Sequence, residues 1–216
     1  MSISELLLHY GVENIIVCDT RGAIYKQRTI NMNDQKCEMA HMTNHKDDRG
    51  KLANVIKDAD VFIGVSVENS LKVEHINLMS DKPIVFALAT PNPEISVEDG
   101  KQYAHIFASG MTESVNCVNT LLATPGIMRA LINKKCLDVT IEMKTEAAHA
   151  IANALKPEYL DVNCILPDFM DYEVHQKVSN AIAKVATEQG MTTKNAKLPQ
   201  NAISSYMTSI SIPAAE

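Results

Sequence analysis

The sequence contains no tryptophan, and only 5% of its residues are aromatic, so it has no obvious stacking surface for sugars or bases. No apolar run approaches the roughly 20 residues that span a bilayer. The first residues also lack the basic and apolar regions of a signal peptide. These absences predict a cytoplasmic protein with no membrane partner.

The five cysteines are odd in number and never occur as C-x-x-C, which argues against a disulfide framework or a zinc site. The seven histidines show no spacing typical of metal ligands. The net charge of −6 argues against a nucleic-acid partner. With 46% hydrophobic and 21% charged residues in 216, the composition is ordinary for an α/β protein.

Short apolar runs alternate with amphipathic stretches over residues 13–135. The patterns predict strands at 13–18, 60–66, 83–89 and 105–108, and helices at 2–10, 34–41, 51–59, 73–79, 115–135 (interrupted at Pro125), 139–155 and 172–188. This alternation predicts a mostly parallel sheet with flanking helices and right-handed crossovers. We expect this domain to occupy residues 1–190, and residues 191–216 to form a C-terminal arm or flexible tail.

The first apolar run, residues 15–18, ends on Asp19. A carboxylate at the end of the second strand of a dinucleotide-binding fold can accept hydrogen bonds from the ribose hydroxyls of NAD; alternatively, Asp19 only caps the next turn. The glycine-rich fingerprint belongs about twenty residues upstream, yet residues 1–10 contain no glycine. We therefore expect a Rossmann-like α/β fold in which the first strand and the Gly-rich loop are missing. Nearby Arg21 could accept the 2′-phosphate of NADP, but the acid favours NAD.

Small or rigid segments follow the other predicted strands, and ligands of parallel sheets bind at the carboxyl ends of strands. Gly64, Val65 and Ser66 would let a cofactor approach the backbone closely. Two prolines stiffen the loop over residues 90–94, which begins at Thr90. Each segment has an ordinary turn as its alternative explanation.

Asn116 and Asn119 lie three residues apart at a predicted helix start. An amide there can donate to a substrate carboxylate in the positive potential of the helix N-terminus. The alternative is that one of them is simply an N-cap. The residues alone thus predict a nucleotide-binding α/β domain for an anionic small molecule, with no identified catalytic acid or base.

Taken together, these segments resemble the NAD-binding domain of malic enzymes, especially the smaller bacterial type. The runs that carry the resemblance are residues 11–19, 22–25, 59–66, 83–95, 116–119 and 125–127. The resemblance implies oxidation of malate with NAD or NADP and decarboxylation to pyruvate, assisted by Mg or Mn. It implies that Asp19 is the ribose-binding acid and Asn116 the malate-binding asparagine. It also places Thr90 at a ligand-contacting position, and we include Val65 and Ser66 among the cofactor contacts.

The sequence departs from the family pattern at some of these positions. Thr90 replaces the family's loop asparagine, and Val115 and Cys117 flank Asn116 where proline and glutamine are expected. The family's tyrosine, lysine, metal ligands and glycine-rich loop precede the segments matched here, so we assign no catalytic or metal-binding residue. We expect the isolated chain to be inactive, and to form a homo-oligomer or pair with an N-terminal part. The alternative is a degenerate, non-catalytic remnant that binds a nucleotide or a partner.

Overall fold

The computed structural model describes residues 2–191; apart from Met191, the tail expected over residues 191–216 lies outside this range. The helices are α1 (Ser2–His9), α2 (Asp34–Met42), α3 (Leu52–Val55), α4 (Val73–Ile76), α5 (Val97–Tyr103), α6 (Thr124–Lys134), α7 (Ile141–Ala152) and α8 (Tyr172–Glu188). The strands are β1 (Cys18–Asp19), β2 (Gly22–Ala23), β3 (Val61–Gly64), β4 (Ile84–Ala87) and β5 (Ile106–Ser109). Short 3₁₀ helices occupy Thr120–Leu122 and Pro157–Tyr159.

A three-stranded parallel sheet, in the order β3-β4-β5, forms the centre of the mixed α/β fold. On the middle strand, Val85 and Ala87 point to one face and are completely buried, whereas Ile84 and Phe86 on the opposite face are half-buried. Apolar residues of α3, α4 and the loops around α5 pack with β4 and β5 in one core cluster. The predicted α/β class is confirmed, as are three of its strands.

The predicted strand over residues 13–18 is wrong in extent and in pairing. Only Cys18 and Asp19 form a strand, β1, and it pairs antiparallel with β2 in a separate ribbon. The preceding apolar residues find backbone partners elsewhere, because the carbonyl of Ile15 accepts from the Asn44 N–H and that of Val17 from the Ile24 N–H. The run therefore has the composition of a buried strand but joins no parallel sheet within residues 2–191.

A second core cluster lies between α6, α7 and α8. Helix α8 has the bounds expected from its apolar stripe. Pro125 does not break a longer helix; it lies in the first turn of α6, where its missing N–H removes no helical hydrogen bond. Next to it, Gly126 allows α6 to approach α8 closely, because a Cβ there would lie 2.7 Å from the His175 carbonyl oxygen.

None of the helices within residues 2–191 combines the length and the apolar character needed to cross a membrane.

Candidate functional site

The loops after β3 and β4 meet at the carboxyl edge of the sheet. Val65 is 65% exposed, and Ser66 and Thr90 are also exposed, so a ligand could reach all three. The Asn92 side chain crosses between the loops and donates to the Glu68 carboxylate at 2.6 Å. Of the predicted site residues, the structure thus brings Val65, Ser66 and Thr90 together on two tied loops.

The carboxylate of Glu94 lies beneath these loops and is completely buried. Its Oε1 accepts from the Ser66 N–H at 2.7 Å, and its Oε2 accepts from the Ala89 N–H at 3.0 Å. A Cβ on Gly64 would lie 2.4 Å from the Glu94 Cδ, so the glycine makes room for the carboxyl group. One side chain therefore fixes the backbone at the ends of both strands.

Asn116 follows β5 and is 1% exposed. Its Nδ2 donates to the carbonyl oxygens of Phe107 (3.0 Å) and Val162 (2.9 Å), and its Oδ1 accepts from the Ile165 N–H at 2.9 Å. The amide thus joins the end of the sheet to the loop that follows residue 160. Asn119 is an N-cap, since its Oδ1 accepts from the Leu121 N–H in the 3₁₀ helix.

Asp19 lies on the separate ribbon, where four groups donate to its carboxylate. Arg28 Nη2 contacts both oxygens at 2.7 and 2.8 Å, and Lys36 Nζ contacts Oδ2 at 2.7 Å. The Arg21 N–H (2.8 Å) and the exposed Asn31 Nδ2 (3.2 Å) complete the set. The turn-capping role considered from the sequence is present, in the bond from Arg21, together with a network that sequence reasoning missed.

Partial burial raises the pKa of the Asp19 carboxyl, but hydrogen bonds from Lys36 and Arg28 outweigh it and lower the pKa to about 2. Arg28 is itself buried and uses every N–H of its guanidinium: Nε donates to Ile30, and Nη1 donates to the carbonyls of Gly22 and Ala23. We call Asp19, Arg28, Asn31 and Lys36 the Asp19 network. It ties the ribbon to the start of α2.

A cavity of about 330 Å³ lies beside α4 and α5, lined by Leu71, Lys72, Ile95 and Asp99 among others. None of the predicted site residues lines it. The residues from 2 to 191 also contain no group of three or more His, Cys, Asp or Glu side chains arranged to hold a metal ion.

Two features of the site escaped the sequence reasoning. The sequence indicated the loop that contains Glu94, but not that the Glu94 carboxylate points inward. The one local sign of this burial is that Glu94 directly precedes an apolar residue, Ile95, which is itself buried. Arg28 and Lys36 carry no local signal, since they lie nine and seventeen residues from Asp19.

Comparison with known proteins identifies the domain. The family model described as malic enzyme, NAD binding domain, matches residues 6–188. The chain is 42% identical over 192 residues to the bifunctional malic/malolactic enzyme of Bacillus subtilis, covering 88% of this chain and 47% of that protein. It is 34% identical to an NADP-dependent malic enzyme of Rhizobium meliloti, covering 86% of this chain and 26% of that protein.

A solved structure agrees with these matches. The NAD-dependent malic enzyme from Thermotoga maritima superimposes with a TM-score of 0.79 at 38% identity, over 84% of this chain and 48% of that chain. The sequence described here thus spans less than half the length of these relatives. The match covers nearly all of the described domain, and the chain belongs to the malic enzyme family through its NAD-binding domain.

Proposed function

We propose that this chain is the NAD-binding portion of a malic enzyme that oxidises malate with NAD and decarboxylates the product to pyruvate in the cytoplasm. The observation that carries the proposal is the pair of exposed loops after β3 and β4, held by buried Glu94 at the edge where parallel sheets bind ligands. Membership of the family supports the substrate class.

The loop residues fit a dinucleotide. Gly64 is followed by two exposed residues, Val65 and Ser66, and the facing loop exposes Thr90, so the backbone of both loops is open to a ligand. NAD held there would supply the acceptor for the hydride that malate gives up on oxidation. The residues of this chain would hold and orient the cofactor, with Val65, Ser66 and Thr90 as the contacts.

Asp19 fits a ribose only with a rearrangement. Its two oxygens already accept from four groups, which fills the usual capacity of a carboxylate. The exposed Asn31 amide forms the longest of these bonds, at 3.2 Å, so a ribose hydroxyl would displace it most easily. We propose NAD over NADP, because a ribose hydroxyl can donate to the Asp19 carboxylate, whereas a 2′-phosphate offers it no donor.

For malate, we propose that Asn116 contributes to the binding site by holding in place the loop that follows β5. Its amide is buried and fully used by backbone partners, so direct contact with the substrate would require Val162 or Ile165 to release it. We propose that the Mg or Mn ion of the complete enzyme is held by residues of the remaining part.

Calorimetric titration of the chain with NAD and with NADP tests the cofactor assignment. Thr90→Asp places a negative charge on a proposed cofactor contact and, because the pyrophosphate of NAD is itself negatively charged, should weaken NAD binding about tenfold or more. Ile132→Asp makes the same charge change at a 70% exposed position on α6 and should leave NAD binding unchanged. Equal effects of the two substitutions, or no binding by the wild-type chain, would refute the proposal.

Catalysis requires a second test, because we propose that the remaining part of the enzyme pairs with this domain. Among the residues that the structure describes, 2–191, strand β3 has a neighbour on one side only, and its first residue, Val61, is 46% exposed. The chain alone should not reduce NAD with malate and Mg or Mn. Addition of a polypeptide comprising the other half of a malic enzyme should restore activity and give a complex by light scattering. Homo-oligomers without restored activity would favour the non-catalytic alternative.

A further inference from the structure

We infer, on the basis of the NAD binding proposed above, that Glu94 is a positioning residue that couples the two cofactor-binding loops. It does not face the ligand, because its side chain is completely buried. Its effect on binding passes through the two N–H groups that it holds, those of Ser66 and Ala89.

The Glu94 carboxylate is buried without a positively charged partner among the described residues, which is unusual. Within residues 2–191, no Lys, Arg or His side chain forms a salt bridge with Glu94, and the carboxylate accepts hydrogen bonds from two backbone N–H groups. An ionised group buried without a cation is unfavourable unless hydrogen bonds compensate it. A glutamine here would keep one acceptor but turn an NH₂ group toward an N–H donor. The site therefore requires two acceptor atoms on one side chain.

The positions of the two N–H groups connect Glu94 to function. Ser66 is itself a proposed cofactor contact, and Ala89 directly precedes another, Thr90. The carboxylate thus fixes both loops from below while their upper surfaces stay exposed. If Glu94 couples the loops, a ligand that contacts either one should perturb both through this carboxylate.

Nuclear magnetic resonance of the full chain reads this coupling directly. The amide protons of Ser66 and Ala89 should resonate downfield, as expected for hydrogen bonds to a carboxylate, and both should shift together during a titration with NAD. In Glu94→Gln, at least one should move upfield, and NAD affinity should fall about tenfold as measured by calorimetry. Gly64→Ala, which forces the carboxyl group away, should reproduce both effects.

Met143→Ala is the matched control, since Met143 is completely buried in the other core cluster. It should lower the melting temperature without changing the Ser66 and Ala89 resonances or NAD affinity. Unchanged affinity in both Glu94→Gln and Gly64→Ala would overturn the inference. If the wild-type chain binds no NAD, the proposed function fails by itself. The coupling of the two loops by Glu94 then stands on its own if Glu94→Gln raises amide hydrogen exchange at Ser66 and Ala89 together, and it falls if exchange is unchanged.

Discussion

Replacing Asp19 with asparagine should destabilise the domain by disrupting the Asp19 network. The substitution keeps one acceptor oxygen but turns an amide NH₂ toward donors, either Lys36 and Asn31 or the Arg21 N–H. The side chain of Asp19 is only 16% exposed, so water compensates little for the lost bonds. The Arg28 guanidinium, whose side chain is 5% exposed, would lose its anionic partner.

The lowered pKa of Asp19 gives the size of the expected loss of stability. Lowering the pKa of Asp19 from an ordinary 3.8 to about 2 in the folded protein corresponds to roughly 2 kcal/mol of stability at neutral pH. For a domain of this size, that loss should lower the melting temperature by about 4–8 °C. Because the folded-state pKa is the lower one, this stability is present above pH 3.8 and is lost as the pH falls toward 2.

Circular dichroism melts at neutral pH and at several acidic pH values would test this prediction. Asp47→Asn is the matched control, since Asp47 pairs with Arg49 at the same 2.7 Å but with side chains that are 39% and 54% exposed. It should change the melting temperature little. A melting temperature of Asp19→Asn within about 1 °C of the wild type at neutral pH would refute the reasoning. So would a difference between the two proteins that persists undiminished at the lowest pH.

Three further substitutions test the packing and the loops. Asn116→Ala removes the bonds to Phe107, Val162 and Ile165 and should lower the free energy of unfolding in urea by about 2–4 kcal/mol; an unchanged midpoint would contradict this role. Gly126→Ala places a methyl group against α8 and should lower the same free energy by about 1–3 kcal/mol; an unchanged free energy would contradict the close approach of the two helices. Thr90→Asn restores the amide that the family resemblance places at this position, and calorimetry should show tighter NAD binding; weaker binding would count against Thr90 as a cofactor contact.

The sequence predicted the elements whose signal is local. The apolar stripe of α8 predicted its bounds, and the short apolar runs predicted the three strands of the sheet. The strand prediction based on residues 15–18 was wrong because composition shows that a strand could be buried, but not whether a neighbouring strand exists to pair with it. Strand pairing is a long-range property, and here the partners of Ile15 and Val17 come from loops.

The sequence predicted which strand ends the candidate residues follow, but not which way the polar side chains around them face. Val65, Ser66 and Thr90 lie exposed on the loops that follow the predicted strands, and their contact with a cofactor stays a prediction. Whether a polar side chain faces out or in was not encoded nearby: Asn116 and Glu94 both point into the protein, toward partners that only the folded chain supplies. Their assignment from type and spacing alone could not distinguish a ligand contact from a support beneath it.

Every N–H group of the Arg28 guanidinium already donates a hydrogen bond, and this limits how the cofactor preference of this protein could be changed. Replacing Asp19 alone, the obvious step toward accepting a 2′-phosphate, leaves a buried cation whose other N–H groups hold the ribbon and the loop at Ile30 in place. A lysine cannot replace that arginine, because it has three donors on a single atom instead of a planar fork. Residues 19, 28 and 36 therefore form one unit for protein engineering, and a workable exchange of cofactor would replace them together.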